Sequence, residues 1–216
     1  MTHQVLNPAV LYWGTPVVII SSANLDGTTN IAPMSSAFWQ GHRCMLGLAS
    51  VNQTTQNIVR PKQCVLNLPT ASMGPAINSL AKLTAAKDIP DVKKAIGYQY
   101  AANKWALVME CPVQMECEFI AVHRIMRDLA PPLSDLGWVI EVKVLRVPVE
   151  PYLRLEGYEN RIDTDKWRPM IMSFSELYGL EERKKVNSRL AEIDEEKYRV
   201  LTGQGEETKR EDSYMV

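Results

Sequence analysis

The pair Asp26-Gly27 sits between two extended runs, residues 15–21 (TPVVIIS) and 29–39 (TNIAPMSSAFW), and constrains the fold more than any other feature. A hairpin turn needs positive φ, which Gly adopts without strain, so the two runs are predicted to pair as antiparallel neighbours. A third extended run, residues 44–49 (CMLGLA), leads into the polar bend 50–55 (SVNQTT). Five of those six side chains can donate or accept hydrogen bonds, and none is charged. Two readings of the bend stay open on the residues alone. It can solvate an anion with hydroxyls, amides and backbone N–H groups, or it can be a solvated loop capping a short helix that starts near Gln53.

The rest of the chain adds strands faster than helices. Residues 105–109 (WALVM), 113–120 (VQMECEFI) and 138–148 (WVIEVKVLRVP) read as extended. Within them Val113, Met115, Cys117 and Phe119 alternate with Gln114, Glu116 and Glu118, which predicts a strand with one wet face. Residues 71–86 carry Ile77, Leu80 and Leu83 three apart and read as a helix, and 90–96 reads as a shorter one opened by Pro90. Hairpins are therefore more natural than crossover units. The predicted class is mainly β with inserted helices, an antiparallel barrel rather than a doubly wound sheet. No glycine-rich dinucleotide or P-loop motif is present. The domain expectation is a barrel over 1–180 and a C-terminal amphipathic helix with a polar tail over 181–216. Val186, Leu190, Ile193, Val200 and Leu201 lie near one apolar stripe of that helix, and Glu181 with Lys185, like Glu195 with Arg199, has favourable i,i+4 polarity.

Charge and cysteine usage narrow the function classes. The net charge is −1, with 8 Lys+Arg against 4 Asp+Glu through Pro112 and 16 against 21 beyond it. The positive first half suits a phosphorylated ligand but is too weak for a nucleic-acid surface. No run reaches the roughly 18 apolar residues of a membrane span, and the N-terminus has no basic start with a long apolar stretch, so the expected location is the cytoplasm. Cys44, Cys64, Cys111 and Cys117 form no Cys-x-x-Cys pair and no zinc-like spacing with His, so no metal site is expected and they read as reduced, buried thiols, with a redox disulfide as the alternative.

The segments 12–18 (YWGTPVV), 26–37 (DGTTNIAPMSSA), 50–57 (SVNQTTQN), 64–69 (CVLNLP) and 160–172 (NRIDTDKWRPMIM), in this order and spacing, resemble the flavin reductase-like, FMN-binding split-barrel family. The resemblance covers about the first 180 residues. It implies a six-stranded Greek-key split barrel that pairs as a homodimer and binds FMN, with NADH or NADPH as co-substrate. A monooxygenase or another electron-accepting protein is the implied partner; no nucleic acid or membrane is. It also implies that Met34, Ser35, Ser36 and Ala37 hold the flavin's polar edge with rigid backbone. Ser50, Val51, Asn52, Thr54 and Thr55 would hold its phosphate. Arg168 either neutralises part of the ligand's charge or forms a surface or interface salt bridge. Each of the five tryptophans reads as a core or interface aromatic or as a stacking surface for the flavin. No catalytic side chain is expected, because the cofactor carries the redox chemistry. One departure stands out. Many reductases of this family carry a Gly-Asp-His-like motif where this chain reads VHRIMRD over 122–128, and His123 there reads as a partly buried strand residue. That departure bears on nicotinamide use. The competing reading is a non-catalytic, flavoredoxin-type electron carrier.

Overall fold

A computed structural model describes residues 3–81, 108, 110–181 and 185–186. The 15–21 run does not form one strand. Pro16 lacks an N–H and ends β1 (Trp13–Pro16), Val17 donates to the Met170 carbonyl at 2.9 Å, and β2 (Val18–Ala23) begins after it. β2 pairs with β3 (Thr29–Met34) in the predicted hairpin. Its connection is a loop from Asn24 to Thr28. The Asp26 carboxylate accepts from the Thr28 N–H at 3.0 Å and the Thr28 hydroxyl at 2.6 Å, and Gly27 takes φ +82°. Those donors hold the Asp26 pKa below the usual carboxylate value.

The 29–39 run also divides. Ser35 and Ser36 leave the ladder, and β4 (Ala37–Gln40) pairs with β5 (Arg43–Ala49) instead of continuing beside β2. Next come α1 (Gln53–Val59), β6 (Gln63–Leu68), a 3-10 turn at Ala71–Met73 and α2 (Gly74–Leu80). β7 (Val113–Arg124) and β8 (Gly137–Arg146) form a long hairpin. β9 (Met170–Ser173) and β10 (Glu176–Gly179) close the described chain.

Two antiparallel sheets result. The small one has the order β1-β9-β10, the large one β3-β2-β6-β7-β8-β5-β4. β3 and β4 stand at opposite edges of the large sheet yet are joined by Ser35 and Ser36 alone. Three steps of extended chain reach roughly 10 Å at most, so the sheet has to curl until its edges nearly meet. The fold is a split barrel, and its seam is the Ser35-Ser36 joint. The barrel differs from the six-stranded expectation because that joint makes two strands of one run.

Val18, Ile20, Leu46, Leu66, Ile140 and Val142 fill the barrel, with Trp39 and Trp167 packed against them. Val17, Ile19, Ile31, Ile77, Leu80 and Met170 form a second apolar cluster outside it, where α2 lies on β2 and β3. β2 is thus buried on both faces, which is why its sequence is a continuous apolar run. β7 departs from its predicted wet face. Gln114 and Glu116 are buried, the former donating to the Val108 carbonyl at 2.6 Å, the latter only 2% exposed and accepting from Arg146 Nε at 2.6 Å. The chain at Val108 and an arginine across the hairpin cover what the alternation alone assigns to water. All four cysteines are buried and free, as the thiol reading expects.

The end of the 71–86 helix, the 90–96 helix and, except for Val108, the 105–109 strand lie outside the described residues. So does most of the 181–216 helix and tail; of the pairs expected there, Glu181 and Lys185 do make their ion pair. Among the described residues no helix is long and apolar enough to cross a membrane.

Candidate functional site

The seam opens into a cleft of about 410 Å³. Met34, Ser35 and Ser36 form its floor, and Gly47, Leu48 and Ala49 of β5 run along one side with Asn52 at their end. Ile77, Asn78 and Ala81 of the α2 region form a second wall, and Tyr12, Met172, Ser175 and Leu177 of the small sheet's side form a third. The lining mixes apolar side chains with the polar groups of Tyr12, Ser35, Ser36, Asn52, Asn78 and Ser175.

Ser35 and Ser36 are positioned from two directions. The Gly47 N–H donates to the Ser36 carbonyl at 2.7 Å, and a Cβ at position 47 would stand 2.9 Å from Ser36 Cβ. Glycine is required there by close approach, not by backbone conformation. The Ser36 hydroxyl donates to the Tyr12 phenol oxygen at 2.9 Å. Ser35 is only 7% exposed and belongs to neither strand, and its hydroxyl makes no hydrogen bond among the described residues. Ser35 lines the cleft.

The 50–55 bend is arranged differently. α1 does begin at Gln53, but it has seven residues. The Ser50 N–H donates to the Leu136 carbonyl at 2.9 Å and the Asn52 N–H to Ala49 at 3.1 Å. Thr55 is fully buried and its hydroxyl donates to the Ala49 carbonyl at 2.7 Å, while the Thr54 hydroxyl accepts from Asn30 Nδ2 at 3.0 Å. Val51 is 71% exposed. Of the bend, Asn52 is the residue that lines the cleft.

Of the ten expected contacts, then, Met34, Ser35, Ser36 and Asn52 come together. Ala37 is buried in the barrel interior. Ser50, Val51, Thr54 and Thr55 do not line the cleft, and Arg168 donates to the Thr164 and Trp167 carbonyls at 3.0 and 3.1 Å rather than lining it. Beyond the expected residues, the cleft is also lined by Tyr12, Gly47, Met172 and Leu177. Tyr12 and Met172 fall inside the segments that carry the family resemblance, so the signal was present without a role attached. Trp39 and Trp167 pack on the core, and Trp13 packs edge-on against Phe174 at 4.6 Å. None of the three lines the cleft.

His123 is not partly buried. Its side chain is 51% exposed on β7, and its Nε2 lies 3.1 Å from Glu141 Oε2, with Arg43 on the same carboxylate at 3.6 Å. A wider hollow of about 590 Å³ is lined by residues 154–159 only. Among the described residues no other element brings a group to it, so the seam cleft is the better candidate.

A family model described as a flavin reductase like domain matches residues 12–152. The chain belongs to that family. An uncharacterized protein of Bacillus subtilis (strain 168), YdfE, is 30% identical over 190 residues, 81% of this chain and 88% of that protein. Among solved structures, the flavoredoxin of Desulfovibrio vulgaris (Miyazaki F) matches with a TM-score of 0.72 at 15% identity, over 89% of this chain and 100% of that one. Nitrilotriacetate monooxygenase component B from Bacillus cereus matches at 0.71 and 16%, over 86% and 100%. At those identities the likeness is one of fold, and it supports the split-barrel assignment.

Proposed function

We propose that this family member binds FMN in the seam cleft and works as an oxidoreductase between a nicotinamide donor and flavin. The observation that carries the reading is Ser35, a largely buried residue whose hydroxyl makes no hydrogen bond among the described residues, at a cleft that offers both apolar and polar walls. A flat heteroaromatic ring with a polar edge suits that combination. Ser35 and the backbone of Met34 and Ser36 would meet the edge, and Leu48, Met172 and Leu177 would flank the ring. Asn52, at the end of β5, would meet the phosphate, with Ser50, Val51, Thr54 and Thr55 shaping the bend behind it. Arg168 would act on ligand charge at longer range. When bound, FMN supplies the redox chemistry, taking a hydride and passing electrons on. The protein's part is to hold the ring, exclude water and leave one ring face open to a donor.

Further parts of the reading concern assembly and place. Open sheet edges and exposed aromatics such as Trp13 and Phe38 favour a homodimer. The fold likeness to a monooxygenase component favours an electron-accepting protein partner. The four free thiols suit the reducing cytoplasm. The 181–216 segment would dock as an amphipathic helix.

A second reading has its own support. His123 is held by Glu141, and the Gly-Asp-His-like motif is absent, which favours a flavoredoxin-type carrier without nicotinamide chemistry. The visible spectrum of the purified protein with FMN, before and after anaerobic NADH and NADPH, separates the two. Bleaching of bound flavin supports the reductase. Bound flavin that neither nucleotide bleaches supports the carrier, and failure to bind FMN overturns both.

A further inference from the structure

Tyr12 is held at the cleft from two sides. Its carbonyl accepts from the Phe174 N–H at the turn of the small sheet, and its phenol oxygen accepts from the Ser36 hydroxyl at the seam. A phenol that accepts one hydrogen bond still has its own O–H to donate. Among the described residues nothing takes that proton, and Tyr12 lines the cleft beside Ser35. Two hydroxyls with donors to give, Ser35 and Tyr12, therefore line the same cleft.

We infer that Tyr12 is a ring-binding contact that donates a hydrogen bond to the polar edge of the bound ring, oriented for that purpose by Ser36. The inference rests on the flavin reading. It assigns Tyr12 to the ring and not to the phosphate. Gly47 packs on Ser36, whereas Ala49 leads into the bend, and two strand residues advance the chain about 7 Å. The ligand class that satisfies both Tyr12 and Ser35 is a planar heteroaromatic with carbonyl or ring-nitrogen acceptors, with or without a phosphorylated side chain.

Fluorescence titration of the full chain with FMN, riboflavin and lumiflavin tests this. Tyr12→Phe keeps the ring and its packing and removes only the hydroxyl. It is expected to weaken all three ligands equally, by about threefold to tenfold for one neutral hydrogen bond, and to change the absorption band shape of bound flavin. Ser36→Ala is expected to cost less, and the double variant to bind no more weakly than Tyr12→Phe alone, because Ser36 acts through Tyr12. Unchanged binding in Tyr12→Phe, a loss confined to FMN, or independent effects of the two substitutions would each overturn the inference. A wild-type chain that binds none of the three ligands overturns the flavin reading and this inference with it; binding by wild type with an indifferent Tyr12→Phe overturns the inference alone. Melting curves of each variant confirm that the titrations compare folded proteins.

Discussion

The seam joint at Ser35 and Ser36 and the bend at 50–55 hold similar inventories of hydroxyls and backbone amides, but they use them in opposite ways. In the bend, the Ser50 and Asn52 amides and the Thr55 hydroxyl donate to protein carbonyls, and the Thr54 hydroxyl holds Asn30. Its polarity mostly builds the turn into α1. At the joint, Ser36 is fixed through Gly47 and Tyr12 while Ser35 stays unpaired at a cleft. A polar sequence thus has two physical meanings. It describes a binding surface only where the fold leaves donors unmatched, and the topology decides this: the joint links the two edges of the large sheet, and the bonds that hold it, from the Gly47 N–H and to the Tyr12 phenol, fall on Ser36 and not on Ser35.

The largest expected effect probes that topology. Gly47→Ala places a methyl 2.9 Å from Ser36 Cβ, which is carried by backbone and cannot swing aside. If the joint yields, Ser35 moves out of register with the cleft, and affinity for FMN and riboflavin should fall together by about tenfold or more, ~1.4 kcal/mol. If the joint holds, overpacking should lower stability by about 1–3 kcal/mol instead. Titration and a denaturant melt on the same sample read both. A variant indifferent in both would mean that the close approach constrains nothing.

Asn52→Ala isolates the one residue by which the bend reaches the cleft. A hydrogen bond to a charged group contributes about 1.5–3 kcal/mol, so FMN affinity should fall roughly tenfold while riboflavin, without the phosphate, changes little. Equal losses for both would remove the phosphate from this end of the cleft. The contrast with Gly47→Ala is the sharper statement: one substitution discriminates between the ligands and the other does not.

Thr55→Val tests whether the rest of the bend is scaffold. It deletes a fully buried donor and leaves the Ala49 carbonyl without it, costing about 1–2 kcal/mol of stability. FMN and riboflavin affinities should then shift alike or not at all. A selective loss of FMN would make Thr55 a phosphate contact after all, with the bend closer to its sequence reading than its hydrogen bonds suggest.

Much of this was legible before any coordinates. The 26–27 hairpin, the β5 run, the start of α1 and the β7 and β8 strands follow from turn chemistry and period, and the four buried thiols from cysteine spacing. β9 and β10 were not legible, because four residues each carry too little pattern to separate strand from loop. The buried face of β7 was misread because alternation reports polarity, and Glu116 is polar yet only 2% exposed beneath Arg146. At the site, the sequence lists the donors at 34–37 and 50–55 but not their partners. Which of them remain unmatched is a tertiary fact.

The smallest expected effect concerns His123, which lies away from both regions. It is exposed and paired to Glu141, a carboxylate already shared with Arg43, and it does not line the cleft. An exposed pair of this kind contributes about 0–1 kcal/mol, so His123→Ala should change stability little. If the protein oxidises NADH or NADPH, the variant should do so within about twofold of wild type, since a factor of two is only ~0.4 kcal/mol in the barrier. Steady-state nucleotide oxidation with saturating FMN gives the answer. A hundredfold loss with unchanged FMN affinity would place a nucleotide-handling group on the outer face of β7. The cleft would then be only half of the functional surface, and the comparison between joint and bend would need His123 as a third region.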